Sequence, residues 1–260
     1  MDKVNDYLRV AQETASEAGQ MLRQNMENAR EISYKGIVDL VTNFDNQAQQ
    51  MIFMRLSSSF PEHDFLAEEG LSREKGAEFR WIFDPLDGTT NYAHRFPVFC
   101  VAIALEQKGE SLLGVVYDPM REEMFWAVRG KGAFLNEKRI QVSSVDDLDR
   151  SLIATGFPYD LRESEVNNIK HFNNFMTRVQ AIRRCGSAEL DLCYVACGRF
   201  DGFWELKLKP WDVVAGALII KEAGGQVTNF EGEEFRSFSP DVLATNGLIH
   251  KAMKAILHLD

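Results

Sequence analysis

Cysteine is scarce in this chain: 260 residues hold four, Cys100, Cys185, Cys193 and Cys197, and no two form a CxxC pair. That scarcity excludes a disulfide framework or a structural zinc site as the basis of the fold. Cys193 and Cys197, four residues apart, read as small apolar residues sharing a helix face in a reducing cell. The histidines are equally unhelpful. His63, His94, His171, His250 and His258 are scattered without metal-ligand spacing, and none is assigned to chemistry. No apolar run approaches the roughly 20 residues that span a bilayer, and Met1 to Gln24 is charged throughout, with no signal-peptide apolar centre. A cytoplasmic home without a membrane partner is the expectation. Cations are in deficit too. The formal net charge is −10, which sets the field of the molecule against nucleic acid and acidic membranes. An acidic protein that handles an anion needs a local basic cluster, or bound cations held by its own carboxylates.

What is present is a globular core and a clear change of pattern along the chain. Val4, Leu8, Ala11, Ala15, Ala18 and Leu22 recur at helical spacing and predict an amphipathic helix ending near Asn25 to Arg30. Lys35 to Thr42 reads as a turn leading into a short extended piece, and Asp45 to Leu56 as a second helix stopped by Ser57 to Pro61. Strands follow at Arg80 to Phe83, Val98 to Leu105, Leu112 to Tyr117 and Met124 to Val128, with turn signals at Lys108-Gly109 and Asp118-Pro119. Helices are predicted at Asn167 to Val179, Ala188 to Cys197, Val213 to Ala223 and Leu248 to Leu257, with a strand at Gly202 to Leu206. Hairpin strands interleaved with helices point to α+β layering rather than a pure βαβ order. There is no internal repeat, low-complexity tract or evident linker.

The most informative segment is Trp81-Ile82-Phe83-Asp84-Pro85-Leu86-Asp87-Gly88-Thr89-Thr90-Asn91. A hydrophobic strand delivers two carboxylates three residues apart, then a glycine and two hydroxyls. Asp84, Asp87 and the Leu86 carbonyl make a hard-oxygen set of the kind magnesium takes. Gly88 permits close backbone approach, and N–H groups around Thr89 and Thr90 would cradle phosphate if they open a helix. Turn-forming alone explains many Asp-Pro and Asp-Gly pairs. Tyr117-Asp118-Pro119-Met120 is such a case within this chain, with no second carboxylate and no Gly-Thr-Thr behind it. Two further acidic elements are Glu68-Glu69-Gly70, which alone reads as a solvated loop, and Asp212, which alone reads as the N-cap of the following helix. Together they raise the count of carboxylates at element ends to what a site with two or more magnesium ions requires.

At this point the chain resembles the inositol monophosphatase family. DPLDGTTN looks like that family's first signature and WDVVAGALIIKEAGG, Trp211 to Gly225, like its second, with Arg183 to Ala188 and Phe203-Trp204-Glu205 between them, so that the likeness covers nearly the whole chain. The resemblance implies a layered αβαβα fold, one domain over residues 1–260 in two lobes, approximately 1–145 and 146–260, and a homodimer. It implies magnesium, two or three ions per site, and hydrolysis of a small phosphate monoester by direct attack of a metal-activated water. Glu68, Asp84 and the Leu86 carbonyl would hold the first metal, Asp84, Asp87 and Asp212 the second, and Glu68 would help with a third. Asp45 and Thr89 would orient and deprotonate the water, and Glu68 is counted with them as catalytic. Gly88, Thr89 and Thr90 would bind phosphate; Gly186, Ser187, Ala188 and Glu205 would meet the alcohol half, with Asp87 also counted as substrate-binding; Lys35 and Asp39 would lie on a mobile loop.

Three alternatives stay open. An aspartyl-phosphate enzyme would carry Asp-x-Asp-Gly-Thr, whereas Pro85 and Leu86 both separate the acids here. Within the superfamily, fructose 1,6-bisphosphate, a 3′-phosphoadenosine nucleotide, histidinol phosphate or NADP compete with myo-inositol 1-phosphate. Glu205 favours a polyol, while Lys207 and Lys209 would welcome a second phosphate. Lastly, some bacterial relatives also bind the transcription machinery independently of hydrolysis.

Overall fold

The structure, a computed structural model, describes residues 3–28, 32–34 and 40–259. Lys35 and Asp39 lie outside the described residues. The helices are α1 (Lys3–Asn25), α2 (Asn43–Ser59), α3 (Thr89–Ala93), α4 (Ile169–Met176), α5 (Ala188–Ala196), α6 (Val214–Glu222) and α7 (His250–Leu257). The strands are β1 (Ile32–Tyr34), β2 (Leu40–Thr42), β3 (Asp64–Ala67), β4 (Ser72–Arg73), β5 (Phe79–Asp87), β6 (Cys100–Gln107), β7 (Glu110–Asp118), β8 (Glu123–Val128), β9 (Gly132–Leu135) and β10 (Lys138–Ile140), then β11 (Leu152–Thr155), β12 (Ala181–Arg183), β13 (Gly202–Leu206), β14 (Gln226–Thr228) and β15 (Asp241–Thr245). An eight-stranded sheet runs β10-β9-β8-β7-β6-β5-β3-β4 and a five-stranded sheet runs β12-β11-β13-β15-β14, with β1 and β2 paired apart.

Side-chain alternation along the strands builds the layers. In β6, Val101, Ile103 and Leu105 face one way and join Trp81, Phe83 and Leu113 under α1 and α2, whose Ala11, Ala15, Ala18, Leu22, Ala48, Ile52 and Leu56 are fully buried there. The intervening Cys100, Ala102 and Ala104 face the opposite side, against α5 and α6. These residues are small because the helices come close. A Cβ built on Gly114 of β7 would stand 2.7 Å from the Ala215 carbonyl oxygen of α6. The five-stranded sheet covers the far side of α5 and α6 with Ala154, Phe203, Val242 and Ala244. Its other face, carrying Ile153, Trp204 and Leu243, packs on Phe175 of α4 and Met253 and Ile256 of α7. The order of layers is therefore αβαβα.

Most pairings are antiparallel, as the hairpin signals predict, but β3–β5, β11–β12 and β11–β13 are parallel. The last two are joined through α4 and α5, so part of the second sheet does follow βαβ order. β5 also runs four residues beyond the Phe83 end read from the sequence. Its extension matters for the site. Asp84 lies opposite Ala102 and Asp87 opposite Cys100, with a register shift between them. Three steps along β5 thus match two along β6, which is a β-bulge at Pro85 and Leu86. In a regular strand two residues three apart face opposite ways. The bulge's extra residue sets Asp84 and Asp87 on one face, and proline, which lacks an N–H, fits where the ladder is interrupted.

Candidate active site

The bulged end of β5 opens into a cleft of about 620 Å³ between the two sheets' helix-capped ends. Glu68, Asp84, Leu86, Asp87, Gly88, Thr89, Thr90, Gly186, Ser187, Ala188, Glu205 and Asp212 all line it. A smaller cavity, about 190 Å³, lies beside Lys221, Glu222 and Arg236 and contains none of them.

Asp45 does not reach the cleft wall itself but touches it through Thr89. Thr42 caps α2, and Asp45, at the third helical position, reaches back in a capping box: its Oδ2 accepts from the Thr42 N–H at 2.8 Å and from the Thr42 hydroxyl at 2.5 Å. That leaves Oδ1, which stands 2.9 Å from the Thr89 Oγ1 donor; the same hydroxyl lies 3.0 Å from the Leu86 carbonyl. Burial raises the Asp45 pKa, against the opposing effect of these hydrogen bonds. A buried carboxyl aligned behind a hydroxyl is a proton acceptor in waiting.

Asp84, Asp87 and Asp212 are each anchored by backbone N–H groups that leave further lone pairs open. Asp84 Oδ1 accepts from the Leu86 N–H at 2.8 Å. Asp87 holds the start of α5, accepting from Ser187 Oγ at 2.7 Å and from the Glu189 and Ala188 N–H groups at 2.8 and 3.3 Å. Asp212 closes a short turn over Pro210–Asp212 and accepts from the Lys209 N–H at 2.7 Å. It is not the N-cap of α6. That work falls to Glu189, which is wholly buried and accepts from the Ala215 and Gly216 N–H groups at 3.2 and 2.6 Å. Glu68 stands half-buried in a turn clamped by Gln49, whose side-chain amide bonds both the N–H and the carbonyl of Glu69.

Burial, with the negative charge of Glu68, Asp87 and Asp212, pushes the Asp84 carboxyl well above its ordinary pKa. Burial does the same to Asp212, and Asp87 and Glu68 add to it; Asp87 is also raised, chiefly by burial. Among the described residues no three of these side chains already stand as a closed metal-binding group. Bare carboxylates repel one another, and these are turned toward N–H donors. The donor set is nevertheless all hard oxygen, mutually destabilised in the anionic form and free of nitrogen or sulfur. It fits a hard divalent cation such as magnesium.

Gly88 has φ near 101°, a left-handed conformation that suits glycine, and precedes α3, the five-residue helix that Thr89 opens. A Cβ there would also press on the Val98 and Gly186 carbonyl oxygens, at 2.9 and 3.2 Å. Asn91 ties the first motif to the Arg183–Ala188 segment: its Nδ2 donates to the Val98, Cys185 and Gly186 carbonyls at 2.7, 2.8 and 3.3 Å. Glu205, at the end of β13, is buried opposite, and burial raises its pKa to about 8. Glu189, Asn91 and the buried Asp191, which also lines the cleft, were not singled out by sequence. Helical spacing hides Glu189 and Asp191 among apolar neighbours, although charged residues inside the apolar run Ala188–Ala196 were a usable signal.

Comparison with known proteins adds identity to geometry. The profile of the Inositol monophosphatase family matches residues 3–258. The chain is 42% identical over 255 residues to the protein named Nus factor SuhB of Escherichia coli, covering 97% of this chain and 96% of that one. It superimposes on the structure of inositol monophosphatase from Anabaena with a TM-score of 0.89 at 40% identity, over 98% of this chain and 96% of that one. It also superimposes on an IMPase/NADP phosphatase complexed with Mg2+ and phosphate, with a TM-score of 0.87 at 25% identity, over 100% and 97%.

Proposed function

This chain belongs to the inositol monophosphatase family, and from that premise we propose that it hydrolyses small phosphate monoesters, myo-inositol 1-phosphate foremost, by direct attack of water in a magnesium-loaded site. One observation carries the reading: acidic residues from β5, from the turn after β3 and from the turn before α6 line the same cleft as the Thr89 hydroxyl, which is backed by Asp45. A solved relative that holds Mg2+ and phosphate supports it.

In this reading Glu68, Asp84, Asp87, Asp212 and the Leu86 carbonyl hold two or three magnesium ions. When bound, magnesium lowers the pKa of water and neutralises charge on the phosphate and the departing oxygen. The chain's own part is positioning and proton transfer. Gly88, Thr89 and Thr90 bind the phosphoryl oxygens at the start of α3, where leading N–H groups have no partner inside the helix. Thr89 passes its proton to Asp45 Oδ1 and takes one from the attacking water. Gly186, Ser187, Ala188 and Glu205 meet the hydroxyls of the alcohol, which leaves with a proton from solvent water. We place the protein in the cytoplasm as a homodimer of single-domain subunits.

A panel of phosphate esters assayed with magnesium, with and without a chelator, tests this. Hydrolysis of myo-inositol 1-phosphate that stops on chelation is expected. Preference for fructose 1,6-bisphosphate or a nucleotide would move the substrate within the superfamily. Activity surviving exhaustive chelation would refute the metal role. A second reading draws on the name Nus factor of the Escherichia coli relative: a protein partner in transcription, independent of hydrolysis. It predicts that Asp84→Asn abolishes turnover and leaves the partner role intact.

A further inference from the structure

Glu205 is held in the cleft in an unusual way. Among the described residues its carboxylate, though buried, appears in no side-chain hydrogen bond. What stands against it is Gly156, the first residue past β11. An ideal Cβ at Gly156 would fall on both carboxylate oxygens of Glu205. The backbone of Gly156 is not in the left-handed region, so what a side chain there would disturb is the Glu205 carboxylate, the movable end of a flexible side chain. Gly156 is in turn fixed. Asn168, fully buried ahead of α4, donates from Nδ2 to the Gly156 carbonyl at 2.6 Å and sits 2.7 Å from Thr155 Oγ1. Its Oδ1 accepts from the Trp204 indole at 2.8 Å, and Thr155 Oγ1 donates to the Trp204 carbonyl at 2.6 Å. Thr155, Asn168 and Trp204 thus form one closed, buried polar ring joining the end of β11, the middle of β13 and the start of α4. Such a ring, fully satisfied, is rigid. It sets the Gly156 backbone at one distance from the residue that follows Trp204, which is Glu205.

We infer that Gly156 is a specificity-determining residue and Asn168 its positioning residue: the missing side chain at 156 sets how far the Glu205 carboxylate stands back, and hence which alcohols the cleft accepts. The inference rests on the phosphatase reading and goes beyond it. Alcohols that present ring hydroxyls to Glu205 depend on this spacing; alcohols without hydroxyls do not. Gly156→Ala would displace the carboxylate from the place where it meets the alcohol's hydroxyls and leave Asp84, Asp87, Thr89 and Asp212 untouched.

The test compares kcat/KM for myo-inositol 1-phosphate with that for phenyl phosphate, which has no further hydroxyl, in the magnesium-loaded protein. Gly156→Ala should reduce the preference for the inositol ester roughly tenfold, the worth of one hydrogen bond to a charged group, through KM rather than kcat. Phenyl phosphate should be cleaved as before. Asn168→Asp, which keeps the indole's acceptor and loses the donor to Gly156, should move the preference the same way. In a Glu205→Ala background Gly156→Ala should cost nothing more, because the clash has gone. Should Gly156→Ala alone fail to fold, the double variant is expected to fold; its failure would overturn the inference. Equal losses on both esters, or additive losses in the double variant, would overturn it as well while leaving the phosphatase reading in place. A wild-type protein that cleaves neither ester would overturn the phosphatase reading and this inference with it.

Discussion

Asp84 and Asp118 begin the same Asp-Pro dipeptide, and the structure gives them different work. Asp118 spends its carboxylate on its own turn, accepting from the Met120 and Arg121 N–H groups at 2.9 and 3.1 Å and from the Arg121 guanidinium at 3.0 Å. Asp84 makes one such bond and turns the rest of its charge toward other carboxylates. Asp84→Asn should therefore lower kcat on the order of a thousandfold, as when a group organising transition-state charge is lost. Asp118→Asn should cost stability and leave the rate nearly unchanged. Similar rate losses in both would mean that turn shape was what mattered. Thr89 gives a second residue-scale outcome. Thr89→Ala should reduce kcat on the order of a hundredfold or more with KM little changed, since in the proposed mechanism the hydroxyl acts as the water loses its proton. Thr89→Ser restores the hydroxyl and should recover much of the rate; a serine variant as slow as alanine would remove Asp45 from the mechanism too. Asp84 and Thr89 were legible because they sit together in one short motif. Glu189 was not, because its partners, the N–H groups of Ala215 and Gly216, lie far along the chain.

Elements were readable in proportion to their length. β5, β6 and β7, of eight or nine residues, and the 23-residue α1 carry enough periodicity to be placed from sequence. β11, β12 and β14, of three or four, carry almost none, and so the parallel pairs of the second sheet went unseen. The helix read at Asn167 to Val179 is also shorter, Ile169–Met176, and its later start reflects the engagement of Asn168 in the ring with Trp204. The close seat of α6 on β7 offers an element-scale measurement. Gly114→Ala places a methyl against the Ala215 backbone, which cannot rotate away. It should destabilise the fold by roughly 1–3 kcal/mol, read as a lower midpoint in denaturant. An unchanged midpoint would mean that the two layers are not in contact there.

At the scale of the molecule, an acidic chain concentrates buried acids in one place. In the metal-free protein, Asp84, Asp87, Asp212 and Glu189 all have raised pKa values, chiefly from burial, and Glu205 reaches about 8. Between the ordinary carboxylate range, about 4, and these raised values, the folded state holds protons that the unfolded chain has released. Stability then falls as pH rises through that window. Metal-free protein should melt at a lower temperature at about pH 9 than at about pH 7, a window above the one in which the lowered pKa values of His63, His171 and His250 act with the opposite sign, and magnesium should raise the melting temperature more at the higher pH. A metal-free protein most stable at the alkaline end would contradict the account of these carboxylates.

In the mechanism we propose, water deprotonated through Thr89 and Asp45 attacks phosphorus directly and in line. The stereochemical course at phosphorus tests it without reference to any variant. A chiral thiophosphate ester of inositol, hydrolysed in isotopically labelled water, should yield product of inverted configuration, one displacement having occurred. Net retention would mean two displacements and a phosphorylated enzyme, and would contradict the claim.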